Sequence, residues 1–227
     1  MLKLTSPLDE MFSSSKKLIL DFSKIKENTP NKENFEKIFN DYKSKNLNPR
    51  EPVNRQQIND LLINTSGYRY LVGQYGEDRT AMLEDTTAGK AGRVIHMAID
   101  IFSKRLETVY SPCDGVIVRS DYEEGFGEYG NYLIIQPKDC DFYIFFGHLS
   151  CNRPVEKLVS SGEAIAKLGD YPDNENGGWS RHLHVQILKA LPAKGVTPDG
   201  YSTKKDFANN SLIYPNPLDY FPEWKLR

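Results

Sequence analysis

Two of the four histidines in this chain, His182 and His184, stand one residue apart in the stretch RHLHVQI. In a β-strand, residues i and i+2 project from the same face with Cα atoms roughly 6–7 Å apart, so both imidazoles would enter one space. Two imidazoles in one pocket do not both accept protons readily, and a divalent cation bound by one of them removes that conflict. The pair therefore indicates a metal site. For an isolated pair, two half-buried polar residues on a solvated face are the alternative.

The other two histidines lie in apolar, strand-like segments, His96 in RVIHMAIDIF and His148 in FYIFFGHLS. Asp100 also lies in an apolar stretch, where an unpaired carboxylate would be costly to bury. His, Asp and His form a workable zinc ligand set, and catalytic zinc sites leave the fourth position to water. On a straight strand, residues i and i+4 lie about 13 Å apart. A bend, a bulge or a helical turn must therefore bring His96 and Asp100 together, and the β-branched neighbours favour a bent strand.

The part of the chain that carries these residues, 68–190, has the sequence pattern of a β domain. Short β-branched or aromatic runs alternate with clusters of Gly, Asn, Asp and Pro, as in YRYLVGQY, GNYLIIQP and HLHVQILKA. Many short strands at this spacing indicate an antiparallel sheet.

Two flanking regions differ from this β domain. Residues 1–67 are polar, and the helical spacing of apolar residues over 31–46 and 53–65 predicts an N-terminal extension of helices and loops. Residues 191–227 carry five of the thirteen prolines and are expected to pack on the core as an ordered loop. The predicted fold class is therefore α+β. We expect the extension to brace the core, with an occluding pro-segment and a docking surface as alternatives.

The composition narrows the partners and the cellular location. The chain has 29 basic and 31 acidic residues, which gives no support to nucleic-acid binding. Its three cysteines form no CxxC pair and indicate reduced thiols. No stretch reaches the length of a membrane span, and the N-terminus lacks the apolar run of a signal peptide. We therefore expect a cytoplasmic protein without membrane insertion, an expectation that a removed export signal would reverse.

The motifs together resemble the lysostaphin-type (LytM-like) zinc metallopeptidase family. Three segments of this chain resemble the three motifs of that family. They are HxxxD at 96–100, HLS at 148–150 and HLH at 182–184. The segments between them also resemble the family, namely SPCDGVIV (111–118), YGNYLII (129–135) and VSSGEAIAKLG (159–169). The resemblance covers residues 93–189 in the right order. It implies an antiparallel β core of the duplicated hybrid motif type.

The resemblance also implies roles for the five motif residues. His96, Asp100 and His184 would bind one zinc ion per chain, with water in the fourth position. His148 and His182 would be the catalytic pair, one taking the proton of the attacking water and the other hydrogen-bonding the developing oxyanion. The sequence leaves open which histidine has which role.

Other residues carry weaker signals or depart from the family pattern. Tyr129, Asn131 and Trp179 are candidate substrate-binding residues, for which turn formation and packing are the alternatives. Gln136 stands where many members have a further, non-ligand histidine, and NGGW at 176–179 replaces a stretch of small residues. The segment YLVGQYGEDR and the proline-rich tail resemble a branch that often lacks an export signal. Neither Arg79 nor Arg93 is assigned a role.

The predicted function is that of a zinc-dependent metalloendopeptidase, a hydrolase that cuts a peptide or another amide, for which a peptidoglycan-derived substrate is one option. Two alternatives remain at this stage. One is a non-catalytic binding or regulatory module on the same fold, and the other is a cytosolic zinc hydrolase of a small amide metabolite. The second would be favoured if the N-terminal segment or the proline-rich tail closed one end of the groove. The oligomeric state is unknown.

Overall fold

The structure is a computed structural model that describes residues 17–20, 37, 41, 42, 44–48, 51–66, 69–83, 86–151 and 153–221. Its strands are β1 (Lys17–Leu20), β2 (Tyr70–Gly73), β3 (Arg93–His96), β4 (Ile99–Phe102), β5 (Thr108–Tyr110), β6 (Gly115–Glu123), β7 (Gly130–Pro137), β8 (Tyr143–Leu149), β9 (Lys157–Val159), β10 (Ala164–Lys167), β11 (His182–Leu188) and β12 (Tyr201–Thr203). Its helices are α1 (Pro52–Ser66), α2 (Thr80–Leu83), α3 (Thr87–Lys90), α4 (Phe207–Ile213) and α5 (Pro217–Tyr220). No helix among the described residues is long and apolar enough to cross a membrane.

Most of the strands form one sheet of eight, in the order β1-β2-β4-β11-β8-β7-β6-β9. Two small sheets pair β10 with β5 and β12 with β3. The described strand pairs are antiparallel except β1 with β2. The α+β class with an antiparallel β core is thereby confirmed.

Strand β11 lies inside the main sheet, buried along its whole length, and its two faces have different chemistry. On one face, His182 stands opposite Phe102 and His184 opposite Asp100 of β4. The residues between them point the other way, into the main apolar core, and are Leu183, Val185 and Ile187. The period of two therefore places both histidines and the aspartate on one face, as the HLH spacing predicts.

The chain bends between β3 and β4, at Met97 and Ala98. His96 ends β3 and pairs with Tyr201 of β12, whereas Asp100 lies in β4 of the main sheet. The Met97 N–H donates to the Gly200 carbonyl oxygen over 3.0 Å, which holds the bend. The bent strand predicted for residues 93–102 is confirmed.

The N-terminal extension agrees only in part with its prediction. Helix α1 confirms the helix expected over 53–65. Residues 37, 41, 42 and 44 are helical, and most of the predicted helix 31–46 lies outside the described residues. The extension is not made of helices and loops alone, because β1 pairs in parallel with β2 and adds an edge strand to the main sheet.

The proline-rich tail is also more regular than predicted. Residues 191–227 contain β12, α4 and α5 rather than loop alone. Their packing on the core is seen where the Tyr75 hydroxyl donates to the Tyr214 carbonyl oxygen over 2.7 Å and where Phe221 is fully buried. The domain limits at 67/68 and 190/191 stay predictions.

Candidate active site

Three side chains that the sequence analysis assigned to a metal converge in the structure. One ligand atom from each of His96, Asp100 and His184 lies within 4.8 Å of the other two, and all three residues are buried. Asp100 is central, because its Oδ2 lies 3.4 Å from His96 Nε2 and its Oδ1 lies 3.0 Å from His184 Nδ1. The bend after β3 and the pairing of β4 with β11 produce this convergence.

The proton on His96 points away from the cluster. His96 Nδ1 lies 3.0 Å from the Gln74 carbonyl oxygen, which can only accept, so Nδ1 carries the proton and Nε2 keeps a lone pair. His96 Nε2 is buried and has no hydrogen-bond partner among the described residues. Burial, helped by the charge of Arg79, lowers the pKa of His96 to about 4. At neutral pH no second proton fills the space between His96 and Asp100.

The His184 ring lies between two hydrogen-bond acceptors, Asp100 and Gln186. The Gln186 amide donates to the Asp199 carbonyl oxygen over 3.0 Å, which turns its own Oε1 towards His184 Nε2 at 3.2 Å. His184 Nδ1 faces Asp100 Oδ1 at 3.0 Å, so the one ring proton has an acceptor on either side, and a cation bound at Nδ1 would place that proton on Nε2, towards Gln186. His96 Nε2, the Asp100 carboxylate and His184 Nδ1 thus face one another across the cluster. A divalent cation satisfies them, and this outer hydrogen bond is of the kind that orients a histidine ligand.

The other two histidines share a neighbouring space. The Nδ1–H of His148 donates to the Asn176 carbonyl oxygen over 2.9 Å, and that of His182 donates to the Ser180 carbonyl oxygen over 2.7 Å. Each Nε2 keeps a lone pair, and the ring centroids are 4.2 Å apart. Burial lowers the pKa of both, that of His148 to well below its usual range. Both rings are therefore neutral at neutral pH and can accept a proton.

The backbone of His148 is held in the left-handed region, with φ at 63°. Such a conformation costs a non-glycine residue about 1–3 kcal/mol and persists where the surroundings determine it. Here the His148 N–H donates to the Tyr129 carbonyl oxygen over 3.1 Å, and the Gly169 N–H donates to the His148 carbonyl oxygen over 2.9 Å. These bonds fix the direction in which the imidazole leaves the end of β8.

Arg79 is a residue of the site for which the sequence analysis gave no role. Its guanidinium is buried, donates to Asp100 Oδ2 over 2.6 Å and also pairs with Glu77. Burial alone would raise the pKa of Asp100, but His96 and Arg79 beside it hold that pKa well below its usual range. Asp100 therefore stays ionised. In the sequence, the one sign of a role for Arg79 is that Glu77 and Arg79 lie two residues apart in GQYGEDR. Surface ion pairs show the same spacing.

The cluster opens into a cavity of about 560 Å³. Besides His148, His182 and His184, its lining includes the first half of α1, residues 82, 83 and 86–88, residues 126–129, residues 178–180 and residues 197–201. A volume in this range suits a small molecule or a few residues of an extended chain.

The three candidate substrate-binding residues have different positions. Tyr129 and Trp179 line the cavity, and the Trp179 ring lies 6.3 Å from the rings of both His148 and His182. The Trp179 indole N–H has no acceptor among the described residues. Asn131 is not part of the lining. Its amide donates to the Glu175 carbonyl oxygen over 3.0 Å and anchors the loop before β11.

Tyr129 also lies beside His184 of the candidate metal site. Its hydroxyl donates to the Pro198 carbonyl oxygen over 3.2 Å and lies 3.5 Å from His184 Nε2. Burial raises its pKa well above the usual value, so the hydroxyl keeps its proton.

Comparisons with solved structures return several similar chains. The catalytic domain of the antimicrobial peptidase lysostaphin from Staphylococcus simulans is 20% identical, with 66% of this chain and 97% of that chain covered and a TM-score of 0.43. A variant of the catalytic domain of the prophage-encoded M23 protein EnpA from Enterococcus faecalis is 15% identical, with 48% and 75% covered and a TM-score of 0.38. A zinc-containing peptidase from Vibrio cholerae is 27% identical, with 42% and 27% covered and a TM-score of 0.36.

No curated protein sequence matches the chain. The sequence model of peptidase family M23 matches residues 94–198, a span that contains all four histidines and Asp100. Residues 94–198, slightly less than half of the chain, therefore form a domain that matches peptidase family M23.

Proposed function

We propose that the protein is a zinc-dependent metallopeptidase that hydrolyses a peptide or another amide bond. One observation carries the proposal. His96 Nε2 and His184 Nδ1 both face the ionised Asp100 carboxylate, at 3.4 Å and 3.0 Å, and each ring has an outer acceptor for its proton, the Gln74 carbonyl oxygen or Gln186 Oε1, when a cation binds. The family match adds support, because it covers the same residues.

The chain's own residues divide into a binding group and a proton-handling group. His96, Asp100 and His184 would hold the zinc ion. Bound there, zinc would polarise the scissile carbonyl and lower the pKa of the attacking water. One of His148 and His182 takes the proton of the attacking water at its Nε2, and the other hydrogen-bonds the developing oxyanion, for which its Nε2 must carry a proton. Their Nδ1–H bonds to backbone carbonyl oxygens keep both Nε2 atoms available for this work.

The cavity favours a short substrate within this proposal. Helix α1 and residues 197–201 both line it, so the N-terminal extension and the proline-rich tail each contribute to its wall. A short peptide, peptidoglycan-derived or other, or a small amide metabolite is therefore the proposed substrate class. The cytoplasmic location stays a prediction. A binding module without catalysis is the alternative, although all five motif residues are retained.

Metal analysis tests the proposal directly. The purified protein and its His184→Ala variant are dialysed against zinc and analysed for metal by mass spectrometry. We expect one zinc ion per native chain and none in the variant. Hydrolysis of a library of short quenched-fluorescence peptides then tests catalysis. A native chain that stays free of metal after zinc loading would reject the metallopeptidase.

A further inference from the structure

Helix α1 from the N-terminal extension is docked against the start of β11, beside the catalytic histidine pair. The side-chain oxygen of Gln56 accepts the Arg181 N–H over 2.7 Å, and its amide donates to the Ser103 carbonyl oxygen over 3.1 Å. The Asn59 amide donates to the Ser180 hydroxyl over 3.3 Å. These two buried side chains reach across more than a hundred residues of sequence to the segment that enters the HLH strand.

That segment sets the direction of the His182 ring. The Ser180 carbonyl oxygen accepts the His182 Nδ1–H, and Arg181 is the residue between them in the chain. Gln56 fixes the backbone at Arg181, so it fixes the peptide units on which the His182 tautomer and ring orientation depend.

A second, apolar contact reaches the same ring from α1. Ile58, Leu62 and Ile63 form a buried cluster with Leu71 and Phe102. The Phe102 ring in turn stacks on His182, with centroids 4.8 Å apart and an interplanar angle of 24°. If α1 left the core, one face of Phe102, which stacks on the His182 ring, would become exposed.

The position of α1 also makes it part of the substrate cavity. Pro52, Arg55 and Asn59 line the cavity together with His182 and the other site residues. A pro-segment must leave for substrate to bind, but α1 shares a buried apolar cluster with the main sheet and bonds to the strand that carries the catalytic pair.

We propose that α1 is a permanent wall of the active site and that Gln56 is a positioning residue for His182, an inference that rests on the proposed function. In this proposal, the N-terminal extension helps to build the site and is not a removable inhibitor.

The test compares Gln56→Met with Gln57→Met. Gln57 is the next residue of the same helix, is exposed and accepts a hydrogen bond from the Tyr42 hydroxyl, so it is a matched control. We measure zinc content, and kcat and KM on a short peptide substrate. We also record ¹H–¹⁵N spectra of the histidine rings in metal-free protein, with His182→Ala for assignment. We expect zinc content and KM to be retained in both variants. In Gln56→Met we also expect kcat to fall about tenfold to a hundredfold and the His182 signals to move.

A Gln56→Met protein that matches Gln57→Met in kcat and in the His182 signals would overturn the positioning role. A native protein without zinc and without hydrolysis would instead reject the proposed function, while the ring signals still report on Gln56 and His182.

A second experiment needs no substitution in α1. A cleavage site for a specific protease is inserted between Ser66 and Arg69 of the full chain, and the folded protein is cut there. We expect the N-terminal fragment to co-elute with the rest on size exclusion, with peptidase activity equal to or below that of the uncut protein. Dissociation of the fragment with a rise in activity would show a pro-segment. Dissociation alone would also overturn the permanent wall.

Discussion

The Arg79 guanidinium donates to the Asp100 carboxylate over 2.6 Å, and the two side chains are only 2% and 1% exposed. Arg79 also pairs with Glu77, so one buried cation lies between two buried carboxylates. Loss of one partner from a buried ion pair leaves a charge that neither water nor a counter-ion can solvate. Asp100 therefore depends on Arg79 both for its charge and for its orientation towards the two histidines.

Arg79→Gln is expected to destabilise the metal-free protein by about 3–5 kcal/mol, the usual cost of breaking a buried pair from one side. Arg93→Gln is the control, because the Arg93–Asp199 pair is exposed and such pairs contribute less than about 1 kcal/mol. Urea unfolding of both variants without metal measures the difference. Equal losses of stability would mean that Arg79 contributes no more than a surface residue.

The sequence predicted the centre of the site because its signals are local. His182 and His184 are two residues apart on one strand, and His96 and Asp100 lie on either side of a short bend, so period and chemistry suffice to find them. Arg79 was missed because its partner Asp100 is 21 residues away and an arginine in a polar stretch is usually exposed.

Contacts between distant segments could not be predicted from the sequence for the same reason. Gln56 contacts Arg181 across 125 residues, and no periodicity in α1 specifies that partner. In the tail, β12 is three residues long and pairs with β3, and its short polar sequence YST has no apolar alternation to mark a strand. Strand β1, with the apolar run LIL, was too short to separate strand from helix.

Gln186→Met is expected to weaken zinc binding about tenfold to a hundredfold, since residues that orient a histidine ligand have effects of that size. The substitution removes the acceptor of the His184 Nε2–H and frees the ring to change tautomer. Gln136→Met, at an exposed position of β7, is the matched control. Competition with a chromophoric chelator measures both affinities. An unchanged affinity in Gln186→Met would show that the tautomer of His184 is fixed by another group.

His148→Ala and His182→Ala are each expected to keep one zinc ion per chain and to lower kcat by about 10²–10⁴, the usual contribution of a general acid or base. The reason is geometric, because neither ring belongs to the group of three ligand atoms within 4.8 Å. Metal analysis and peptide hydrolysis are run beside His184→Ala, which should lose both properties. Loss of zinc from either variant would place that histidine among the ligands.

Leu62→Ala is expected to destabilise the protein by about 2–5 kcal/mol, because a fully buried leucine is replaced and a cavity remains. Leu61→Ala is the matched control on the same helix, since Leu61 is 39% exposed against 1% for Leu62 and should cost less than about 1 kcal/mol. Urea unfolding followed by tryptophan fluorescence measures both, because Trp179 lies in the cavity that α1 lines. A single transition that shifts in Leu62→Ala means that α1 unfolds together with the β core. A separate early transition for α1 would show that the helix docks weakly, which the continuous cluster of Leu62 with Leu71 and Phe102 argues against.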